Sequence, residues 1–332
     1  MNIYRLKDVN LKEHINEIIG VECVITEVEC RATKKNDPYL FIHTMDMDKK
    51  LKVTLFDNVT YETAANFKRS SVMLLFVQVS TYEKGEDGIS CVLKSYENSQ
   101  TPLAQFIKWE DGFERARDTI LEYCDKVKHT CIGKLTVCVL QRFWKQFYNI
   151  PAAKSFHHVY LGGLMVHTCC VVELSKRFAE FYNEWYKDDV VNVNLVLCGA
   201  LLHDIGKLNE FDFSDGISVE YSNDSLLMNH ITSGIMLITE EATRMGIADR
   251  QEVKELIHLI ASHHGRLEWG SPVEPHCIEA DILSFADQTD ASVNRRVYLN
   301  KDVVPGTGSS KKIGAASIAN YKVVREAKNI EL

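Results

Sequence analysis

The sequence predicts an α+β multidomain chain, with a five-stranded β-barrel at its N-terminal end and an all-α helical bundle after it. Two observations carry that expectation. Apolar residues recur with strand period over the first hundred residues and with helical period from residue 103 to about 297. Turn-rich pieces, "KKNDP", "DMDKK" and "KGEDG", punctuate only the first part. The boundaries expected from this shift are 1–100 for the barrel, 101–150 for connecting helices, 151–299 for the main helical domain and 300–332 for a loop-rich tail. That tail, "KDVVPGTGSSKKIGAAS", is rich in Gly, Ser and Lys.

Five strands are legible in order: "GVECVITEVECRAT", "YLFIHTMDM", "KLKVTLFD", "SVMLLFVQVSTYE" and "ISCVLKSYE". Between the third and fourth, "NVTYETAANFKRS" reads as one short helix. This order suits an OB-type barrel. On the third strand Leu51, Val53 and Leu55 alternate with Lys52, Thr54 and Phe56; inward Leu40 and Ile42 on the second turn Tyr39, Phe41 and His43 outward. Aromatic rings stack bases and cations meet phosphates, so Tyr39, Phe41, Lys52 and Phe56 are candidate substrate contacts. Lys34 and Lys35, beside Arg31 in the first inter-strand loop, and Lys84 in the last are expected to flank that face. The plain alternative is a solvated barrel surface.

The 332 residues are 45% hydrophobic and 25% charged, enough for a sizeable core in each part. A net charge of -8 argues against a broadly basic nucleic-acid coat and leaves room for a local groove. Ten cysteines without a CxxC pair fit reduced thiols, and the N-terminal residues show no signal pattern. A cytoplasmic protein without a membrane partner is expected; oligomeric state is open, a homo-oligomer included.

Nine of the twelve histidines lie between residues 157 and 276, a concentration that average composition does not explain. His167 shares a helix face with Val171, Leu174 and Phe178. His203 and Asp204 close the apolar run "NLVLCGALLHDIGK". In "DSLLMNHITSGIMLITEEA", Asp224 or Ser225 is the expected N-cap of a helix that aligns His230 with Leu226, Leu227 and Gly234. His263 and His264 follow Ile260 and precede Gly265, a helix stop, and Asp287 and Asp290 follow Leu283 on one side. A lone histidine on an apolar face is most often a satisfied core residue. Five helices each delivering an inward His or Asp point instead to a divalent transition metal, for which mixed N/O donors suit Mn, Fe, Co or Zn.

His167, then His203 with Asp204, then Asp287 resembles the HD metal-dependent phosphohydrolase signature. His230 with His263 or His264 resembles the variant that accommodates a second metal. "IPAAKSFHHVYLGGLMVHT", "LLMNHITSGIMLI", "SHHGRLEWGSPVEP" and "SFADQTDA" are similar to segments of the YhaM-type 3′→5′ exoribonucleases, with Asn229 where that family's glycine is expected. The resemblance spans roughly residues 20 to 297 and implies an OB domain followed by an HD domain. It also implies hydrolysis of single-stranded RNA, and of DNA as an open case, from the 3′ end to nucleoside monophosphates. Mn²⁺ is the expected ion, with Co²⁺, Fe²⁺, Zn²⁺ or Mg²⁺ as alternatives.

Under that resemblance His167, His203, Asp204 and Asp287 hold one ion, and Asp204, His230 and His263 a second, with Asp204 and Lys207 as the catalytic pair. Lys207 is expected on a phosphate oxygen. His157, His158, His264 and Arg266 are further candidates for substrate phosphate, each with a structural role as its alternative. Asp290 is placed to orient a ligand histidine, and Trp269 either packs or stacks a terminal base. The competing reading is an HD phosphohydrolase of free or cyclic nucleotides, which leaves the barrel without a task.

Overall fold

The computed structural model describes residues 2–82, 88–152, 160–212, 220–301, 303–313 and 316–323. They form two compact units, one within Met1–Lys108 and one within Trp109–Asp212 and Val219–Leu332.

In the first unit a short strand β1 (Ile3–Arg5) precedes β2 (Ile18–Ala32), β3 (Pro38–Asp46) and β4 (Lys49–Leu55). Helix α1 (Tyr61–Ala65), capped by Thr60, leads to β5 (Val72–Thr81) and β6 (Ile89–Asn98). Pairing runs β2–β3–β4–β6–β5 and returns from β5 to β2, closing a five-stranded OB-type barrel. Strand β2 is long because it serves two neighbours: residues 18–24 pair with β5 and residues 24–32 with β3, and a bulge between Ile25 and Glu27 bends it from one to the other. Alternation fills the interior with Ile19, Val21, Cys23 and Ile25 of β2, Leu40 and Ile42 of β3, and Val53 and Leu55 of β4.

Strand β1 was not expected, since three residues carry no readable period. It pairs parallel to β2 and is fixed by a buried ion pair. Arg5 donates through Nε and Nη2 to the fully buried Asp46 carboxylate at 3.0 and 2.6 Å. Its guanidinium also lies 3.7 Å from the centre of the Phe106 ring.

The second unit contains α2 (Phe113–Val127), α3 (Cys131–Asn149), α4 (Gly163–Tyr186) and α5 (Val193–Leu202). After these come α6 (Lys207–Glu210), the paired strands β7 (Phe211–Asp212) and β8 (Glu220–Tyr221), then α7 (His230–Arg244), α8 (Gln251–Ser262) and α9 (Ile278–Leu299). Helix α5 is apolar on every side because it is the middle of the bundle: residues 195–202 are all buried, against α3, α4, α8 and α9.

Three expectations need correction. Helices α2 and α3 do not form a separate connector; Phe113, Ile120, Leu135 and Val139 share one core with Leu201 and Leu259. Helix α7 starts at His230, capped by Asn229, and Leu226 and Leu227 upstream are exposed. The alignment of those leucines with His230 therefore does not exist, because the Asn229 side chain ends the preceding loop by accepting from Thr232 N at 3.0 Å. The tail is not only loop: β9 (Gly308–Ile313) pairs antiparallel with β10 (Ala316–Tyr321). Asn320 anchors this hairpin by donating to Asn300 Oδ1 at 2.7 Å, beyond the end of α9, a tertiary bond that the Gly- and Ser-rich composition could not announce. No described helix is long and apolar enough to cross a membrane.

Replacing Asp46 by Ala leaves Arg5 with only the Gln105 carbonyl and the Phe106 ring and takes the acceptor from Lys7 N, and urea unfolding of Asp46→Ala should show a loss of about 3 kcal/mol. A loss below about 1 kcal/mol would mean that Arg5 recovers its hydrogen bonds from water.

Candidate metal centre and substrate face

Five helices bring their histidines and carboxylates to one point. His167 lies in α4, His203 and Asp204 directly follow α5, His230 opens α7, His263 and His264 directly follow α8, and Asp287 and Asp290 lie in α9. The first group is compact. His167 Nε2 stands 3.2 Å from His203 Nε2, 3.3 Å from Asp204 Oδ2 and 3.2 Å from Asp287 Oδ1, and His203 Nε2 is 3.3 Å from Asp204 Oδ2. The other Asp204 oxygen faces the second group. Its Oδ1 lies 3.5 Å from His230 Nε2 and 3.7 Å from His263 Nε2, and His264 Nε2 is 3.3 Å from His230 Nε2.

Each of these five rings is oriented through its other nitrogen. His167 Nδ1 meets Asp290 Oδ2 at 2.6 Å and His230 Nδ1 lies 2.9 Å from Glu210 Oε2. The His203, His263 and His264 Nδ1 atoms reach the carbonyls of Ala200, Ile260 and Trp269 at 2.9, 2.7 and 2.8 Å. The His230 contact has ion-pair distance without hydrogen-bond alignment. The four aligned partners are acceptors, which places a proton on Nδ1 of His167, His203, His263 and His264 and turns their Nε2 atoms inward, the arrangement of metal-ligating imidazoles.

The charges agree with that arrangement. Burial acts to raise the Asp204 carboxyl, but Lys207, His203 and the His167 hydrogen bond outweigh it and hold Asp204 well below the usual carboxylate range. Burial acts to lower His167, but Asp204, Asp287 and Asp290 overcome it and raise the ring well above its ordinary value. Burial and the neighbouring His264 and His203 push His263 far down, and burial with His230 lowers His264, so both stay neutral. Asp204 Oδ1 and His263 Nε2 are buried without any hydrogen-bond partner. These two atoms, 3.7 Å apart, are too far to bond each other, and the 3.2–3.7 Å spacing across the cluster matches donors around an ion at about 2.1 Å. Two donor groups emerge, His167 with His203 and Asp204, and His230 with His263 and His264. His264, expected either beside His230 in the second group or at the substrate, stands in that group and also lines the cavity described below.

Gly206 permits the close approach of the two groups. A Cβ there would stand 1.8 Å from the His230 carbonyl oxygen and 2.4 Å from Gly234 N, so only glycine lets α7 press against the turn that carries Asp204.

A cavity of about 310 Å³ opens on this centre, lined by Asp204, His264 and Asp287 with Lys207, Trp269 and Gln288. Lys207 Nζ is 2.7 Å from Asp204 Oδ2. Trp269 is half exposed at the cavity, and Arg266 lies over its ring at 4.9 Å and pairs with Glu268 at 3.3 Å rather than lining the opening. His157, His158 and Lys84 lie outside the described residues. On the barrel, Tyr39, Phe41 and His43 face outward beside exposed Lys52 and Phe56, while Leu40 and Ile42 are buried. Tyr39 packs on Phe56 at 5.7 Å. Phe41 supports cations, with Lys52 Nζ at 4.3 Å and the Arg31 guanidinium at 5.0 Å from its ring centre. Lys34 and Lys35 are exposed in the β2–β3 turn, and Thr54 is buried.

Sequence reasoning missed Glu210 and the barrel carboxylates Glu27 and Glu29. Glu210 falls seven residues after His203, a separation with no helical meaning once α5 ends. Glu29 accepts from Arg31 Nε and pairs with His43 Nε2, both at 2.8 Å; strand alternation, which puts residues 27, 29 and 31 on one face, could have revealed it.

Removing either orienting carboxylate, as Asp290→Ala or Glu210→Ala, should weaken Mn²⁺ uptake about 10–100-fold in equilibrium dialysis. Because His167 is raised, the metal-free ring carries a proton at neutral pH that a cation must displace. Titration calorimetry in buffers of different ionisation enthalpy should therefore show proton release, present while the pH lies below the raised His167 value and fading above it.

A protein-family model described as "HD domain" matches residues 164–292, the span from His167 to Asp290 and just beyond. The chain is 34% identical over 318 residues to "3'-5' exoribonuclease YhaM" of Listeria innocua, covering 94% of this chain and 97% of the relative. It is 27% identical over 316 residues to the protein of the same description from a Geobacillus strain, covering 93% of each. Among solved structures, the OB domain of Ta0387 from Thermoplasma acidophilum aligns at 12% identity over 31% of this chain and 91% of that one, with a TM-score of 0.23. With 34% identity to the Listeria innocua protein over nearly the full length of both chains, the chain belongs to the family of the YhaM 3′-5′ exoribonucleases.

Proposed function

We propose that the chain shortens single-stranded RNA from its 3′ end by metal-dependent hydrolysis, releasing nucleoside monophosphates. The observation that carries this reading is the convergence of Nε2 atoms and carboxylate oxygens on Asp204, with the His167, His203, His263 and His264 rings held through Nδ1. Two ions fit the donors. His167, His203, Asp204 and Asp287 take one; His230, His263 and His264 take the other with the remaining Asp204 oxygen. Mn²⁺ suits such mixed N/O sets. When bound, divalent ions lower the pKa of a water and neutralise charge on the scissile phosphodiester.

The chain's own residues supply the rest. Asp204 stays ionised next to Lys207, so one carboxylate can serve both donor groups. Lys207 brings an ammonium to the cavity wall, where a phosphate oxygen enters and where the leaving oxygen gathers charge. Trp269 offers a ring for the terminal base. A cavity of about 310 Å³ sits at the small end for ligand sites, roughly 300–1,000 Å³, which favours one nucleotide at a time over an internal stretch of strand. Tyr39 and Phe56 of the barrel stack upstream bases, and Lys52 meets the backbone, giving sequence tolerance and salt sensitivity. RNA is preferred here on the description of the relatives.

With Mn²⁺, a 5′-labelled RNA should yield a ladder that shortens from the 3′ end, and a chelator should stop it; a matched DNA strand run in parallel measures the sugar preference. Turnover confined to free nucleotides would overturn the reading. Lys207→Ala should bind metal and lose roughly 10²–10³-fold in turnover.

A further inference from the structure

A second cavity, of about 550 Å³, opens in the helical unit between α2, α4 and α9. It lies on the Nδ1 side of the His167 ring, because its floor includes Asp290, the carboxylate that holds that nitrogen. Its size is mid-range for small-molecule sites, about 300–1,000 Å³. Ala116, Val166, Leu174 and Val293 give it apolar walls, and Thr119 and Thr289 add hydroxyls.

The rim carries one uncommitted guanidinium group and a second that is loosely paired. Arg115 makes no hydrogen bond or ion pair among the described residues, and Arg177 comes no closer than 3.9 Å to a carboxylate, that of Glu173. The acids facing them are mostly engaged: Glu173 accepts from Tyr123 Oη at 2.7 Å and Asp290 is bound to His167. Glu173 keeps its charge beside Arg177, so Asp111 and Glu173 balance the two guanidinium groups, and Arg115 is the one left without a partner among the described residues. The first turn of α2, at the same rim, is entered through Gly112, which has no side chain to cap it. Planar guanidinium forks pair with phosphate oxygens, and an apolar wall with hydroxyls suits a nucleoside.

We propose that this cavity binds a mononucleotide, phosphate toward Arg115 and Arg177 and base against Leu174 and Val166, and that its occupancy is felt by the metal centre through Asp290. Binding here is independent of the nuclease reading, because it is measured as affinity and not as turnover. If the metal centre does release nucleoside monophosphates, the cavity is a sensor of product.

Equilibrium dialysis of labelled adenosine monophosphate against the Mn²⁺-loaded full chain tests this. Arg115→Ala with Arg177→Ala should weaken binding by about tenfold or more; neither residue lines the metal-centre cavity, and both are exposed, so the melting curve should stay unchanged. Leu174→Trp, which fills the cavity and keeps both arginines, should weaken it too. Affinities equal to wild type in both variants, or no binding at millimolar nucleotide, would overturn the site. Inorganic phosphate binding as tightly as the nucleotide would reduce it to an anion site and overturn the nucleotide assignment. Coupling is read separately: saturating nucleotide should shift the Mn²⁺ affinity of wild type by the same factor by which Mn²⁺ shifts nucleotide affinity, and not that of the double variant. An unchanged Mn²⁺ affinity in wild type would overturn the role of Asp290.

Discussion

One buried carboxylate constrains the helical unit. Asp204 is 3% exposed in a bundle whose adjoining helix is wholly apolar, and an ionised carboxylate in such a place is destabilising by several kcal/mol unless charge meets it from close by. The surrounding architecture meets that demand. Lys207 lies one turn onward, His167 and His203 face one oxygen, and His230 and His263 face the other. Gly206 and the Asn229 cap follow from the same requirement, since α7 must approach within backbone contact to bring His230 there.

The parts of the fold that repeat are legible in the residues. Alternation locates every barrel strand to within a few positions, and a face periodicity of three and four is enough to aim His167 and Asp287 inward. What periodicity does not reach is whatever depends on two distant segments meeting. Strand β1 exists because Arg5 finds Asp46, forty-one positions away, and the C-terminal hairpin is tied down by Asn300. Glu210 belongs to the same class. The start of α7 is set locally: the chain makes one short turn at Asp224–Leu226, and the Asn229 cap begins the helix at His230.

On the barrel, the outward face carries less free positive charge than its lysines and arginine imply. Glu29 accepts from Arg31, which with the His43 contact also draws its own carboxyl below the ordinary range. Arg31 is thus already paired where a phosphate would otherwise claim it, and Lys52 sits over Phe41. Under the function proposed above, a weak electrostatic hold with persistent ring contact would let a strand advance by one nucleotide after each cut without sequence preference.

His203 and His263 are the C-cap residues of α5 and α8, and both turn their Nε2 atoms toward Asp204. The carboxyl ends of two helices, each equivalent to roughly half a negative charge, therefore converge on the candidate cation site. Ala200 and Ile260, whose carbonyls steer these rings, belong to the last turns of the same helices. Fraying of either terminus would release a ligand and its orienting acceptor in one motion, so local backbone order and cation affinity are a single property of this protein.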